Sequence, residues 1–213
     1  MKIGVFDSGI GGKTIADTLS KDFTNAEVLY AHDSAHVPYG GRPKDEIITL
    51  TETAIQPLLD TECDCIVLAC NTATAAAIEY LRSTYPDQKF IGLEPMVKPA
   101  VEKPHSGTIA VFATPYTLSS ERYLGLKSDY AAKVTVLEPD CSEWANMIEH
   151  DGIDDEKIEK VVREVIDSGA DVLVLACTHY HWIKEKIVTL AGKDIPVLDP
   201  SEAISQRVAQ ILP

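Results

Sequence analysis

The chain has 213 residues, 45% hydrophobic and 24% charged, which excludes a disordered or collagen-like protein. With 19 basic against 33 acidic residues and a net charge of −14, it repels phosphate backbones over most of its surface, so nucleic acid is not an expected partner. No apolar run approaches the ~18–20 residues that span a bilayer, so no membrane association is expected either. The N-terminus, MKIGVFDSGIGG, reads as a strand over 2–6 followed by a glycine turn. It lacks the apolar core of a secretory signal, and a cytoplasmic protein with five reduced thiols is expected. A helix is predicted over 13–20, a strand over 27–31 and a helix over 44–59. Pro57 should kink or end that helix unless it sits close to a terminus. A strand over 64–69, a helix over 73–84 and a strand over 89–93 follow. The stretch from Glu94 to Gly107 holds Pro95, Pro99 and Pro104 and is the expected crossing between domains. Beyond it come strands at 108–112 and 133–137, with a helix at 118–127 between them. Helices at 142–149 and 155–167, a strand at 171–176, a helix at 181–191, a strand at 195–198 and a helix at 201–211 complete the pattern. Runs such as IVLA and VLVLA are too short for helices and apolar on both faces, as buried parallel strands are. Their alternation with helices predicts an α/β fold with parallel sheets.

An internal repeat organises the chain. Asp64-Cys-Ile-Val-Leu-Ala-Cys70 recurs as Asp171-Val-Leu-Val-Leu-Ala-Cys177, an offset of 107. Ile3-Gly-Val-Phe6 resembles Ile109-Ala-Val-Phe112 at an offset of 106. Two matches at nearly one offset, close to half the length, predict two copies of one βα unit. The predicted domains are 1–94 plus 198–213, and 95–197.

Cys70 and Cys177 close the two copies. Each is followed by small polar residues, Asn71-Thr72 and Thr178-His179, and then by a helix. Ligands of open α/β sheets sit at the carboxyl ends of the strands. A thiol there faces a helix N-terminus, which favours the thiolate. A single such cysteine reads as a buried structural residue. A pair at duplicate positions reads as two bases facing across a cleft. Inverting a carbon by proton transfer needs that arrangement, a base on one face of a planar carbanion and an acid on the other.

The loop Asp7-Ser8-Gly9-Ile10-Gly11-Gly12-Lys13-Thr14 ends like a phosphate-binding loop, but the position of that motif's first glycine is Asp7, which would repel phosphate. The alternative keeps the glycines as a tight turn and sets Asp7 beside the end of the Cys70 strand, to orient that thiol or exchange a proton with it. A helix N-cap is the plainer role for Asp7. His179-Tyr180-His181 and Cys63-Asp64-Cys65 each offer two metal ligands on one face, without a third or fourth at recognisable spacing, so no metal site is expected. His179, two residues after a candidate base, is better placed than most histidines. Glu149, late in an amphipathic segment, reads by itself as a solvated glutamate. Tyr39-Gly40, after Pro38, reads as a turn that reaches a ligand or as an ordinary surface turn.

With these motifs in hand, the chain resembles the bacterial glutamate racemases of the cofactor-independent Asp/Glu racemase superfamily. The stretches IGVFDSGIGG, HDSAHVPYGGRP, VLACNTATAAAI, LEPMVKPA, ATPYTLSS and LACTHYHWI carry the resemblance, in family order. It implies two pseudo-symmetric Rossmann-like or flavodoxin-like domains with the active site in the cleft between them. It implies interconversion of L- and D-glutamate without pyridoxal phosphate or any other cofactor, to supply D-glutamate for peptidoglycan. Cys70 would serve the D-isomer and Cys177 the L-isomer. Asp7 would assist Cys70, His179 would assist Cys177, and Glu149 would be the further catalytic carboxylate. Ser8, Pro38, Tyr39, Gly40, Asn71, Thr72, Thr114, Thr117 and Thr178 match substrate-contacting positions. A homodimer is the implied assembly. The chain departs from the family wording at His32, Ser34 and His36 before the VPYG turn, at Met96, and at His181-Trp182, and it stops short of the family's final segment. A same-mechanism racemase for aspartate and a non-catalytic regulatory protein are the competing readings.

Overall fold

The computed structural model describes residues 1–102 and 106–212, so Pro104 of the expected crossing and the terminal Pro213 lie outside the described residues. The chain divides into two compact units, Met1–Glu94 with Pro200–Pro213, and Pro95–Asp199.

In the first unit, β1 (Lys2–Asp7), β2 (Glu27–His32), β3 (Cys65–Leu68) and β4 (Phe90–Gly92) form a parallel sheet in the order β2-β1-β3-β4. Helices α1 (Lys13–Asp22), α2 (Lys44–Asp60) and α3 (Asn71–Thr84) connect them. Alternation along β1 decides which helix meets which face. Ile3 and Val5 pack with Cys65 and Val67 against Ile15 and Leu19 of α1. The face below Gly4 meets Leu58 of α2. Each fully buried aliphatic side chain contributes about 1.5–3 kcal/mol. Pro57 lies in the last turn of α2, where it removes one i→i−4 hydrogen bond, and the helix ends at Asp60.

The second unit repeats the plan. Strands β5 (Thr108–Phe112), β6 (Thr135–Leu137), β7 (Leu173–Leu175) and β8 (Val197–Leu198) form a parallel sheet in the order β6-β5-β7-β8. Ala110 and Phe112 pack against Ile158, Val162 and Val165 of a helix over Asp155–Asp167, while Ile109 and Val111 pack against Val97 and Ala100 on the other face. Leu198 pairs with Val174, so this unit runs past 197 to Asp199, and the expected boundary moves accordingly.

The expected crossing also holds a short helix, α4 (Val97–Val101), with Val97 and Ala100 buried in the second core. Further along the chain lie α5 (Pro115–Ser119), α6 (Glu121–Tyr130), α7 (Trp144–Glu149), α8 (Asp155–Asp167), α9 (Lys184–Ala191) and α10 (Ser201–Ile211). The single helix predicted over 118–127 is thus two. Ser120 takes an extended backbone and caps α6 with its hydroxyl on the Tyr123 N–H. The helix predicted from 181 begins earlier, as a 3-10 turn over Thr178–Ile183. Near the end of the chain, α10 returns to the first unit, where Ile204 and Val208 join the cluster around Ile15 and Leu19. Among the described residues no helix is long and apolar enough to cross a membrane.

The repeat extends to hydrogen bonds. Asp64 accepts from the Lys2 N–H at 2.7 Å, and Asp171 accepts from the Ser106 N–H at 2.7 Å. At the other strand ends, Ala69 N–H donates to the Phe6 carbonyl and Ala176 N–H to that of Phe112, at 2.7 and 2.8 Å.

Candidate active site

In each sheet the chain leaves the first strand for one neighbour and later returns on the other side. The strand order therefore reverses at β1 and at β5, and in open α/β sheets the carboxyl ends beside such a reversal are where ligands bind. The predicted residues collect at these two places.

In the first unit, Phe6 pairs with Leu68, which sets Asp7 beside the exit of β3 toward Cys70. The Cys70 sulfur accepts from the Ala73 N–H at 3.4 Å and so caps α3. The Ser8 hydroxyl lies 3.3 Å from that sulfur. Asp7 is fully buried, and its carboxylate accepts from the Gly9 N–H at 2.8 Å. It is not a helix cap, since Gly12 occupies that position before α1. Gly12 is there for space. A Cβ added to it would lie 2.4 Å from the Cβ of Asp7. Lys13 points away from the loop, to Asp17 at 3.1 Å on the exposed face of α1, which disposes of the phosphate-loop reading.

Asn71 and Thr72 open α3 and are buried. Neither amide atom of Asn71 has a hydrogen-bond partner. An unpaired buried amide costs about 1–3 kcal/mol, a cost that a bound polar ligand removes. Pro38 and Gly40 are half-buried around a buried Tyr39. The Tyr39 hydroxyl donates to Asp33 at 2.7 Å, and His36 meets the same carboxylate at 2.8 Å. Burial, then Asp33, and more weakly Cys70, push the Tyr39 phenol well above its usual range, so it stays a donor. Asp33 was not singled out from the sequence. Its signal was its place in the HDSAHVPYGG stretch.

In the second unit, Cys177 leaves β7 directly into the 3-10 turn. Its sulfur lies 3.9 Å from His179 Nδ1. His179 Nε2 lies 2.7 Å from Glu149 Oε2, with side chains only 4% and 6% exposed. A carboxylate can only accept, so Nε2 carries the proton, and Nδ1 is the ring atom that faces the thiol. The solvated role that the pattern alone gave Glu149 is thereby overturned. Glu149 ends α7, where the helix dipole disfavours a negative charge, and the imidazole N–H compensates. Thr114 caps α5 and lies 3.0 Å from the Thr117 hydroxyl, at the end of β5. Thr178 is buried beside Cys177.

The other three cysteines are free, buried thiols, as are Cys70 and Cys177. Burial pushes the thiols of Cys63 and Cys141 up, and that of Cys65 up to about 12. Among the described residues no three His, Cys, Asp or Glu side chains gather as a metal ion would require.

The family described as Asp/Glu/Hydantoin racemase matches residues 13–208. The chain belongs to that family. Within it, a glutamate racemase of Roseiflexus sp. (strain RS-1) is 37% identical, over 99% of this chain and 79% of its own length. The solved glutamate racemase of Aquifex pyrophilus superposes with a TM-score of 0.80 at 35% identity, covering 100% of this chain and 84% of that one. That of Francisella tularensis subsp. tularensis SCHU S4, solved in complex with D-glutamate, superposes at 0.81 with 30% identity, over 99% of this chain and 80% of that one. The two parallel sheets are thus the racemase fold, and the chain is an isomerase of the racemase class.

Proposed function

We propose that this racemase interconverts L- and D-glutamate by two-base proton transfer at Cα, with Cys70 and Cys177 as the bases and no cofactor. The observation that carries the reading is the pair of thiols at duplicate strand ends, each with its own proton-handling neighbours: Ser8 and Asp7 for one, His179 and Glu149 for the other.

From L-glutamate, the Cys177 thiolate takes the Cα proton. The Cα–H bond breaks, an S–H bond forms, and the electron pair delocalises into the α-carboxylate. The Cys70 S–H then delivers its proton to the opposite face, leaving a thiolate and D-glutamate. The reverse reaction exchanges the roles. His179, held by Glu149, accepts from the Cys177 thiol, and Asp7 serves Cys70. General acid–base catalysis of this kind contributes typically 10²–10⁴-fold. Asn71, Thr72, Thr114, Thr117 and Thr178, with Ser8 and the Pro38-Tyr39-Gly40 turn, bind the substrate. These neutral donors hold an acidic substrate inside a protein of net charge −14 without a basic surface. The product supplies peptidoglycan synthesis in the cytoplasm. A homodimer is the assembly proposed, with neither nucleic acid nor membrane as partner.

The test is to incubate the pure protein, without added cofactor, with L-glutamate and separately with L-aspartate, following circular dichroism of the amino acid. Loss of optical activity with glutamate alone is expected. Inversion of aspartate in preference would correct the substrate, and inversion of neither would refute the enzyme.

A further inference from the structure

The Glu149–His179 contact joins two elements far apart in sequence, and something must hold them in register. The 3-10 turn and α7 meet through Tyr180 and Trp144. Tyr180 is fully buried, and its hydroxyl donates to the Cys141 carbonyl at 3.0 Å. The same carbonyl accepts from the Trp144 N–H at 3.1 Å, in the turn that starts α7. The Trp144 ring stacks on Phe112 at the end of β5, with centroids 5.5 Å apart and planes 17° apart. Its other contact is edge-on to Tyr180, at 5.3 Å and 70°. Three rings and one shared carbonyl therefore fix the start of α7 against both the sheet and the turn. Glu149 is the last residue of that helix, and His179 precedes Tyr180.

Among its described residues the first unit lacks this device. The residue at the duplicate position of Tyr180 is Ala73, whose N–H instead caps Cys70. Between β2 and α2 the chain makes turns where the second unit has α7. Among the described residues the clamp occurs only in the unit whose cysteine has the histidine and glutamate beside it.

We propose that Tyr180, with Trp144, is a positioning residue. Its hydroxyl clamp sets α7 so that Glu149 holds His179 in the tautomer and orientation that serve Cys177. The inference rests on the proton-transfer reading of Cys177 and His179 above. A placement error of about 1 Å costs up to 10²-fold in rate, which is the scale at which such a clamp matters.

Tyr180→Phe removes one hydroxyl and keeps the ring. Tyr123→Phe is its control, because Tyr123 is another buried tyrosine of this unit, with its hydroxyl 2.6 Å from Glu138. Two readouts are compared among wild type, both variants and Glu149→Gln: the ¹⁵N spectrum of the His179 imidazole, and primary isotope effects with Cα-deuterated L- and D-glutamate. Tyr180→Phe should move the imidazole signals toward those of Glu149→Gln. It should lower kcat by about tenfold or more with little change in KM, and raise the isotope effect for the L-isomer alone. Tyr123→Phe should leave the imidazole and the isotope effects as in wild type. A folded Tyr180→Phe with a wild-type imidazole spectrum would overturn the proposal. An inactive wild type whose imidazole still responds to Tyr180→Phe would refute the racemase reading and leave the clamp standing. If Tyr180→Phe does not fold, Trp144→Phe is read by the same two criteria.

Discussion

The two units share a scaffold and differ in what surrounds the thiol. Strand order, the aspartate that ties down the preceding strand, and the carboxyl-terminal cysteine are common to both. In the first, α3 starts at once after Cys70 and aims an N–H at the sulfur. In the second, a 3-10 turn intervenes, the Cys177 sulfur caps no helix, and a histidine held by a glutamate takes over. Duplication thus supplied a strand-end thiol twice, while its polar surroundings diverged.

The strongest test of this comparison is to remove either thiol. Cys70→Ser and Cys177→Ser should each lower racemisation by about 10³-fold or more, since a hydroxyl is too weak an acid to replace the thiol. Full activity in one of them, by circular dichroism, would mean that a single unit does the chemistry. Removing the support should cost less and act directionally. Asp7→Asn and Glu149→Gln should each lower kcat by roughly 10–100-fold. Asp7→Asn should raise the primary isotope effect for D-glutamate, and Glu149→Gln for L-glutamate. Equal changes in both directions would show that the partners are not dedicated to one cysteine.

Gly12→Ala probes the packing behind Asp7. Its new Cβ meets Asp7 at 2.4 Å, a backbone-anchored atom that cannot swing aside. A loss of about 1–3 kcal/mol is expected in thermal or urea unfolding, with activity falling as well. The smallest effect concerns His181. Burial holds its imidazole below the usual 6.5. Between its folded value and 6.5 the unfolded chain binds more protons, so stability falls as pH drops through that window. His181→Gln should flatten the fall in Tm between about pH 7.5 and 5.5 relative to wild type. An unchanged slope would remove His181 from the account.

Much of this was legible in the chain itself. Apolar runs of strand length and the offset of 107 between the Asp64 and Asp171 motifs carry the two sheets. Cys70 and Cys177 stand out because ligand sites of such sheets lie at strand ends. Asp7 could be paired with Cys70 only through adjacent strands, an inference that needs the sheet order. Glu149 was illegible by pattern, since a glutamate on an amphipathic helix is usually solvated and its partner lies thirty positions away. Tyr180 was equally hidden, because a hydroxyl bonded to a distant carbonyl leaves no periodic trace. The short helix α4, among three prolines, and the 3-10 turn escaped for a related reason: tertiary packing, not propensity, stabilises them.

The central claim is that two different groups work on opposite faces of one carbon. It is tested most directly by racemising L-glutamate in D₂O, stopping early, separating the enantiomers and weighing each. Two bases predict one deuteron at Cα in the D-glutamate formed and none in the L-glutamate recovered. Protium retained in the product, or deuterium shared equally by both enantiomers, would contradict the account.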